Sequence, residues 1–354
     1  MAGKPADRSA VGAGSGKENR MRGKERAWTA AMIAAIIFLA GLALTMGRYR
    51  ISIQEIFAVV FPGLMPDVEV SDTMRTVIFN VRIPRVILSL LAGAGMAVAG
   101  ASFQALFSNP LATPDTLGVA TGASFGAVLG ILWGLPSMMV QGSALAMGIL
   151  AVILVYTLSY SREQSVIMVV LAGMVISALF SALVSLVKYV ADPQDMLPAV
   201  TFWLMGNLAG TRRESLLLGA PLILTGILVI WLLRWKLNAM TLPEDEAKAL
   251  GIPVKQIRYA VIAAAAMITA SVVSMCGLIQ WVGLLIPHVA RMIFGNDNRS
   301  VIPASLGLGA IFMVIIDTVA RCATASEIPV SILTAVIGAP VFIILLRKTG
   351  GIKL

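Results

Sequence analysis

Few side chains in this 354-residue sequence could carry out chemistry, and they are far apart along the chain. The one histidine, His288, lies inside an apolar run without a second ligand at helical spacing, which argues against a zinc or haem site. The same isolation argues against a Ser-His-Asp or Cys-His catalytic set. A glycine-rich stretch ends in Lys17, but Glu18 stands where a phosphate-binding loop has Ser or Thr. We therefore predict neither a catalytic site nor a nucleotide site in this chain.

Charged residues at the edges of apolar runs offer a second kind of chemistry, ion pairing. Asp317 is the clear acid within an apolar run, and Arg321 follows it by one helical turn. Acids inside a membrane are functional candidates, although pairing with Arg321 would explain Asp317 structurally. Arg82 and Arg85 flank Pro84 just before another run. These three arginines either snorkel to the membrane surface or receive carboxylates of an external partner through bidentate pairs.

The polar segment 238–258 carries the signals of a short helix between two apolar runs. A possible N-cap, a proline suited to the first turn and three acids favoured at the positive helix end follow in order. An i,i+4 acid–base pair and a glycine stop come next. These residues are Thr241, Pro243, Glu244, Asp245, Glu246, Lys248, Leu250 and Gly251. From the residues alone, a partner-binding helix and a merely solvated loop are about equally supported.

The elements that position these residues are apolar runs. Hydrophobic residues make up 58% of the chain and charged residues 13%, with a mean hydropathy of +0.90, whereas soluble domains average about 45–50% and 25%. Runs of about the length needed to cross a bilayer occupy 28–46, 86–107, 118–135, 139–159, 166–190, 216–235, 259–277, 278–294, 301–320 and 330–347. We predict an all-α polytopic membrane protein with about ten transmembrane helices. Pro287 interrupts the run 278–294, which could be re-entrant.

The positions of Lys and Arg predict the orientation of these helices. If the N-terminus is inside, the inner segments carry 18 of the 27 Lys and Arg residues, and the positive-inside rule then places both termini in the cytoplasm. We predict a disordered basic tail at 1–27, the transmembrane domain at 28–348 and a cytoplasmic C-terminal end at 349–354. The net charge of +9 then reflects topology and anionic membrane lipid, and nucleic-acid binding is not expected.

Small residues recur at four-residue spacing in two of the runs. Such faces let helices approach closely in lipid, so we predict a packing role rather than a pore-lining one. The residues are Gly93, Ala97, Ala101 and Ala105 in one run, and Gly118, Gly122, Gly126 and Gly130 in the next.

Short stretches in order between 82 and 348 resemble the FecCD-type permeases of ATP-binding-cassette (ABC) importers, which serve iron-siderophores, haem and cobalamin. The stretches are Arg82-Ile-Pro-Arg85, Asn109-Pro-Leu-Ala-Thr-Pro114 with Leu117-Gly118, Leu171-Ala-Gly173, Trp203-Leu-Met-Gly206, Glu246-Ala-Lys-Ala-Leu-Gly251, Gly283-Leu-Leu-Ile-Pro-His288, and Glu327-Ile-Pro329 with Gly338-Ala-Pro340. The resemblance implies the type II ABC importer permease fold, with ten spanning helices per subunit. It also implies a homodimer with the pathway at its interface, in a bacterial or archaeal cell (inner) membrane.

The resemblance further implies roles for particular residues. Two cytoplasmic ATPase subunits, which hold the ATP and Mg²⁺ that this chain does not, would bind Pro243, Glu244, Asp245, Glu246, Ala247, Leu250 and Gly251. An extracytoplasmic binding protein would dock on Arg82, Arg85 and Arg321. The fifth and tenth spans would line the pathway, with gate or pathway residues at Gln164, Ser165, Leu171 and Gly173.

Two other transport functions stay open at this point. An ion-coupled secondary transporter would use Asp317 as its ion site. An ABC permease for an oxyanion such as molybdate would look similar, because cargo specificity resides mostly in the binding protein.

Overall fold

The computed structural model describes residues 9–63, 65, 67–159 and 166–348. It is 79% helical and has no strand among the described residues, which confirms the predicted all-α class. The helices are α1 (Ser9–Thr45), α2 (Ile53–Val60), α3 (Asp72–Thr76), α4 (Ile83–Leu106), α5 (Val119–Leu132), α6 (Ser137–Ser159), α7 (Val166–Val190), α8 (Met196–Leu204), α9 (Arg213–Leu233), α10 (Lys236–Ala239), α11 (Glu244–Ala249), α12 (Val254–Cys276), α13 (Val282–Phe294), α14 (Asn298–Ala323) and α15 (Val330–Lys348). A π-helical turn, Val77–Arg82, joins α3 to α4, and a 3-10 turn, Pro114–Leu117, precedes α5.

The apolar helices correspond to the predicted runs. Within the described ranges, seven helical segments are long and apolar enough to cross a membrane: Ala27–Thr45, Asp72–Leu106, Ser137–Ser159, Ile167–Val190, Arg213–Leu233, Val254–Cys276 and Asn298–Ala323. Three shorter apolar helices occupy Val119–Leu132, Val282–Phe294 and Val330–Leu345. Each predicted run therefore contains an apolar helix, and two of these, α5 with 14 residues and α13 with 13, are shorter than a full span.

The second span begins earlier than its predicted start at residue 86. One continuous apolar helix covers Asp72–Leu106. Arg82 and Arg85 do not end it, because both side chains are buried against partners within the chain. Pro84 lies in the first turn of α4, directly after the π-helical turn, where a missing N–H is tolerated.

The run 278–294 contains a helix too short to span a bilayer. α13 has 13 residues, or about 20 Å at 1.5 Å per residue, against a hydrocarbon core of about 30 Å. The interruption lies before α13 and not at Pro287, which is inside the helix. Gly277 and Trp281 adopt φ angles of +72° and +71°, so the chain turns sharply between α12 and α13.

The segment 1–27, predicted to be disordered, is helical over the part that the structure describes. α1 begins at Ser9 and continues without a break into the first span. Ala, Lys, Arg and Glu favour helix, no proline lies between Ser9 and Thr45, and an apolar helix on the C-terminal side supplies the nucleus. Residues 1–8 and 349–354 lie outside the described residues.

α4 lies at the centre of the bundle, and most of its residues are buried. Its small residues let two helices approach closely: a Cβ at Gly93 would meet the carbonyl of Gly309 on α14, and one at Gly100 would meet Gly283 on α13. The glycine face of α5 meets the backbone of α6 in the same way. These contacts confirm the predicted packing role of the small-residue faces.

α4 also defines the two ends of the bundle. Its 24 residues extend over about 36 Å. The first turn carries Arg85, which meets Asp317 near the end of α14; we call this the Arg85 end. The last turn, at Leu106, lines a cavity together with Ala247 of α11; we call this the α11 end.

Candidate coupling surface and ion network

α11 ends where the sequence signals place it, and it begins two residues after the predicted position. Pro243 is the N-cap residue, with an extended ψ of 143°. Gly251 has a φ of +74°, and its N–H donates to Lys248 O at 2.9 Å while Ile252 N–H donates to Ala247 O at 3.2 Å. This pair of bonds is the Schellman arrangement that ends a helix. The expected N-cap is wrong, because the Thr241 hydroxyl donates to Asn238 O at 2.7 Å instead.

Glu244 ties α11 to itself and to the next span. Its Oε1 lies 2.9 Å from Lys248 Nζ, which confirms the predicted i,i+4 pair, and its Oε2 lies 3.1 Å from Arg258 Nη2 on α12. The hydrogen bond from Lys248, followed by the interactions with Arg258, lowers the pKa of Glu244. Glu244 therefore links α11 directly to α12.

The coupling residues divide into an inner and an outer set. Ala247 is 1% exposed and packs against the core, so it holds α11 in place and does not face a partner as the resemblance implied. Asp245 and Glu246 are exposed, and Leu250 is 66% exposed. Two acids and a leucine are thus exposed within six residues of one another along the chain, where a partner could contact them.

A cavity of about 230 Å³ lies beneath this surface. It is lined by Leu106, Phe107, Ser108, Met240, Leu242, Glu244, Ala247, Val254 and Arg258. Its walls therefore come from the last turn of α4, the α10–α11 segment and the first turns of α12.

A buried ion network occupies the opposite end. Arg85 Nε and Nη2 donate to Asp317 Oδ1 at 2.9 and 2.8 Å, and Arg85 Nη1 lies 3.0 Å from Glu327 Oε2. Arg321 Nε lies 4.0 Å from Asp317 Oδ2. Arg85, 232 residues away along the chain, is therefore the main partner of Asp317, while the predicted partner Arg321 is more distant. Sequence reasoning missed Glu327, although its Glu-Ile-Pro motif was visible.

The three arginines expected to dock a binding protein come together at the Arg85 end but are turned inward. Arg82, Arg85 and Arg321 are 4%, 6% and 6% exposed. Arg82 donates to Leu44 O and Tyr49 O, and Arg321 donates to Ala43 O. Their guanidinium groups hold α1, α4 and α14 together, because buried charges must find partners within the fold. An external partner would not meet them directly in this conformation.

The predicted pathway residues have different surroundings. Leu171 is 45% exposed, and the same face of α7 exposes Met174 and Val175 at 52% and 63%. Gly173 is instead buried, and a Cβ there would meet the carbonyl of Thr116; its role is close helix packing and not lining. Gln164 and Ser165 lie outside the described residues.

α15 is attached to the bundle by contacts near its start and along its length. Val330 N–H donates to Gly206 O at 2.9 Å, and Ser331 Oγ donates to Met205 O at 2.5 Å. Further along, the Phe342 ring contacts the His288 ring, with centroids 5.8 Å apart. The residues described hold no group of three or more His, Cys, Asp or Glu side chains that could bind a metal ion.

The profile of the FecCD transport family matches residues 33–348. The chain belongs to the FecCD transport family. This membership bears out the resemblance carried by the sequence motifs, and it makes the chain a multi-pass transport permease of the ABC importer class.

Individual relatives align over most of the chain. The molybdate import system permease protein MolB of Haemophilus influenzae is 38% identical over 314 residues, covering 88% of this chain and 93% of MolB. The cobalamin import system permease protein BtuC of Halobacterium salinarum is 36% identical over 282 residues, covering 78% and 75%. A solved inward-facing structure of a metal-chelate type ABC transporter superposes with a TM-score of 0.83 at 37% identity, covering 91% of this chain and 99% of that chain.

Proposed function

We propose that this chain is the permease subunit of an ABC importer that moves a metal chelate across a bacterial or archaeal cell membrane. Two copies form the pathway along α7 and α15, and two ATPase subunits bind at α11, on the cytoplasmic side. ATP and Mg²⁺ are held by those ATPase subunits. An extracytoplasmic binding protein delivers the cargo at the Arg85 end.

The surface of α11 carries this proposal. Glu244 fixes the helix to α12 through Arg258 at 3.1 Å, while Leu250, 66% exposed, and the neighbouring acids face outward. A force applied to this surface therefore reaches a spanning helix directly. Alternating access requires such a link between the energy source and the conduit.

Two observations bear on the cargo. The likeness to a metal-chelate transporter structure and to a cobalamin permease supports a chelated metal, such as cobalamin, haem or an iron-siderophore. The 38% identity to a molybdate permease supports an oxyanion as the second candidate. Uptake of radiolabelled molybdate compared with that of cobalamin, haem and ferric siderophores, each with its binding protein, separates the two.

The ion-coupled alternative fits the structure less well. Both carboxylate oxygens of Asp317 accept hydrogen bonds from Arg85 Nε, at 2.9 and 3.2 Å. An acid held by an arginine in this way is a structural element and not an exchangeable ion site. An ion-coupled transporter would lose uptake in the Asp317→Asn variant while its assembly stays normal. Here Asp317→Asn is instead expected to weaken the packing of α4 on α14.

The test of the proposal is a reversal of the exposed charges on α11. In a complex co-expressed with the ATPase subunits, Asp245→Lys combined with Glu246→Lys and Leu250→Asp is expected to abolish co-purification of those subunits and ATP-driven uptake. The matched control for co-purification is Asp67→Lys with Glu69→Lys, which reverses two exposed acids at the Arg85 end. Retention of the ATPase subunits by the α11 variant would show that they bind elsewhere.

A further inference from the structure

A polar cluster at the α11 end, which sequence reasoning did not single out, joins α10 to the start of α14. Asn238 Nδ2 donates to Asp297 Oδ1 at 2.7 Å. Asn238 Oδ1 accepts from the backbone N–H and the Nδ2 of Asn298 at 2.8 and 2.9 Å. Both polar atoms of the Asn238 amide are thus bonded to the first turn of α14.

The cluster continues inward to two more helices. Arg291 Nη2 on α13 donates to Asn298 Oδ1 at 3.3 Å and to Ala101 O on α4 at 3.4 Å. Arg291 Nε donates to Gln104 Oε1 at 3.5 Å, and Gln104 Nε2 donates to Leu284 O at 3.3 Å. One continuous set of hydrogen bonds therefore connects α10 with α14, α13 and α4.

Burial makes the hydrogen bonds of Asn298 and Gln104 costly to break. Asn298 is 0% exposed and Gln104 is 3% exposed, so neither can exchange its partners for water without an energetic penalty. Leu237, beside Asn238, is also 0% exposed and anchors α10 in the core. A shift of α10 must consequently carry the start of α14 with it or break the three bonds of Asn238, two of which are partly buried.

The α10–α11 segment therefore has two attachments to the spanning helices. α11 is bonded to α12 through Glu244 and Arg258 at 3.1 Å, and α10 is bonded to α14 through Asn238 and Asn298 at 2.8 Å. The first attachment lies at the docking surface. The second reaches the centre of the bundle, because α14 packs on α4 at Gly93 and Gly309.

We propose that Asn238, Asn298 and Arg291 are positioning residues that pass movement of the α10–α11 segment to α14, α13 and α4. This inference rests on the proposed function, since it assigns the route by which ATPase movement reaches the conduit. Their role is to keep ATP hydrolysis and cargo movement coupled.

The experiment measures cargo transported per ATP hydrolysed in proteoliposomes that contain the complete complex. The variants are Asn238→Ala and Asn298→Ala. The matched control is Asn296→Ala, which removes an exposed asparagine two residues from Asn298. Both network variants are expected to retain the ATPase subunits and to hydrolyse ATP near the wild-type rate, while transport per ATP falls by about five-fold. Asn296→Ala is expected to match the wild type.

Two results would overturn the proposal. Unchanged transport per ATP in both network variants would show that the bonds carry no movement. A parallel loss of hydrolysis and transport would show that they serve assembly alone. If Asn298→Ala does not assemble, Asn238→Ala decides, because it alters a partly exposed side chain and leaves the buried asparagine in place. Failure of the wild-type complex to import cargo is a separate result, which bears on the proposed function.

Discussion

Removal of Arg85 tests whether the buried ion network stabilises the packing of α4 on α14. Arg85→Leu takes away the donors that lie 2.8 and 2.9 Å from Asp317 Oδ1 and leaves Arg321 Nε at 4.0 Å as a distant partner. Asp317 is 1% exposed and cannot regain water. Glu327 can regain water, because its side chain is 28% exposed.

The expected magnitude follows from this difference in burial. Breaking a buried pair from one side costs about 3–5 kcal/mol, because an uncompensated charge stays behind. Arg85→Leu is expected to lower the free energy of unfolding by that amount, because it leaves the buried charge of Asp317 without its main partner. Asp317→Leu should cost less, since Arg85 keeps Glu327 at 3.0 Å. The double variant Arg85→Leu with Asp317→Leu removes both charges and is expected to be within about 2 kcal/mol of the wild type.

The assay is thermal unfolding in detergent, followed with a thiol-reactive dye. Cys276 is 3% exposed and reacts on unfolding, whereas Cys322 is exposed and is first replaced by Ser. At about 2.1 cal/mol/K per residue, a loss of about 3–5 kcal/mol lowers the midpoint by roughly 4–7 °C. If the double variant loses as much unfolding free energy as the two single variants added together, the Arg85–Asp317 pair does not stabilise the packing of α4 on α14 and the reasoning fails.

Three further predictions concern packing, protonation and docking. Gly100→Val places a side chain against Gly283 and should prevent the packing of α4 on α13, which is measured as loss of a monodisperse peak in detergent. The control Gly142→Val should be tolerated, because a Cβ there meets nothing within 4 Å. Lys248 and Arg258 lower the pKa of Glu244, so the Glu244 contacts persist above the lowered pKa and are lost as pH falls through it. Amide protection of α11 should therefore fall as the solution is acidified through that pKa, and equal protection at neutral pH and in strong acid would contradict this. Arg48 and Arg50 are exposed beside Tyr49, which Arg82 holds, so their reversal to Glu should weaken docking of the binding protein in a salt-dependent way, measured by titration.

Local patterns predict much of this fold. The apolar runs coincide with helices because burial in lipid demands a continuous apolar segment with internal hydrogen bonds. The stop of α11 follows from Gly251, whose backbone preference acts locally, whereas its start lies two residues after the predicted cap Thr241. The packing role of Gly93 follows from its lack of a side chain.

Long-range pairing accounts for what the sequence does not reveal. Asp317 has Arg321 one turn away, so local spacing favours the wrong principal partner, and its pairing with Arg85 depends on how α4 meets α14. The same pairing explains why Arg85 is buried and why the second span begins before it. The bond between Asn238 and Asn298 likewise joins segments 60 residues apart, and neither segment carries a sequence signal that predicts this pairing.

The most direct test of the central claim, that this chain is a conduit driven through α11 by separate ATPase subunits, is cargo accumulation in sealed proteoliposomes. The permease is reconstituted with and without the ATPase subunits, and with and without ATP, in the presence of the loaded binding protein. Accumulation against a gradient is expected when the subunits and ATP are both present, and its loss is expected when either is omitted. Accumulation by the permease alone without nucleotide would contradict the account.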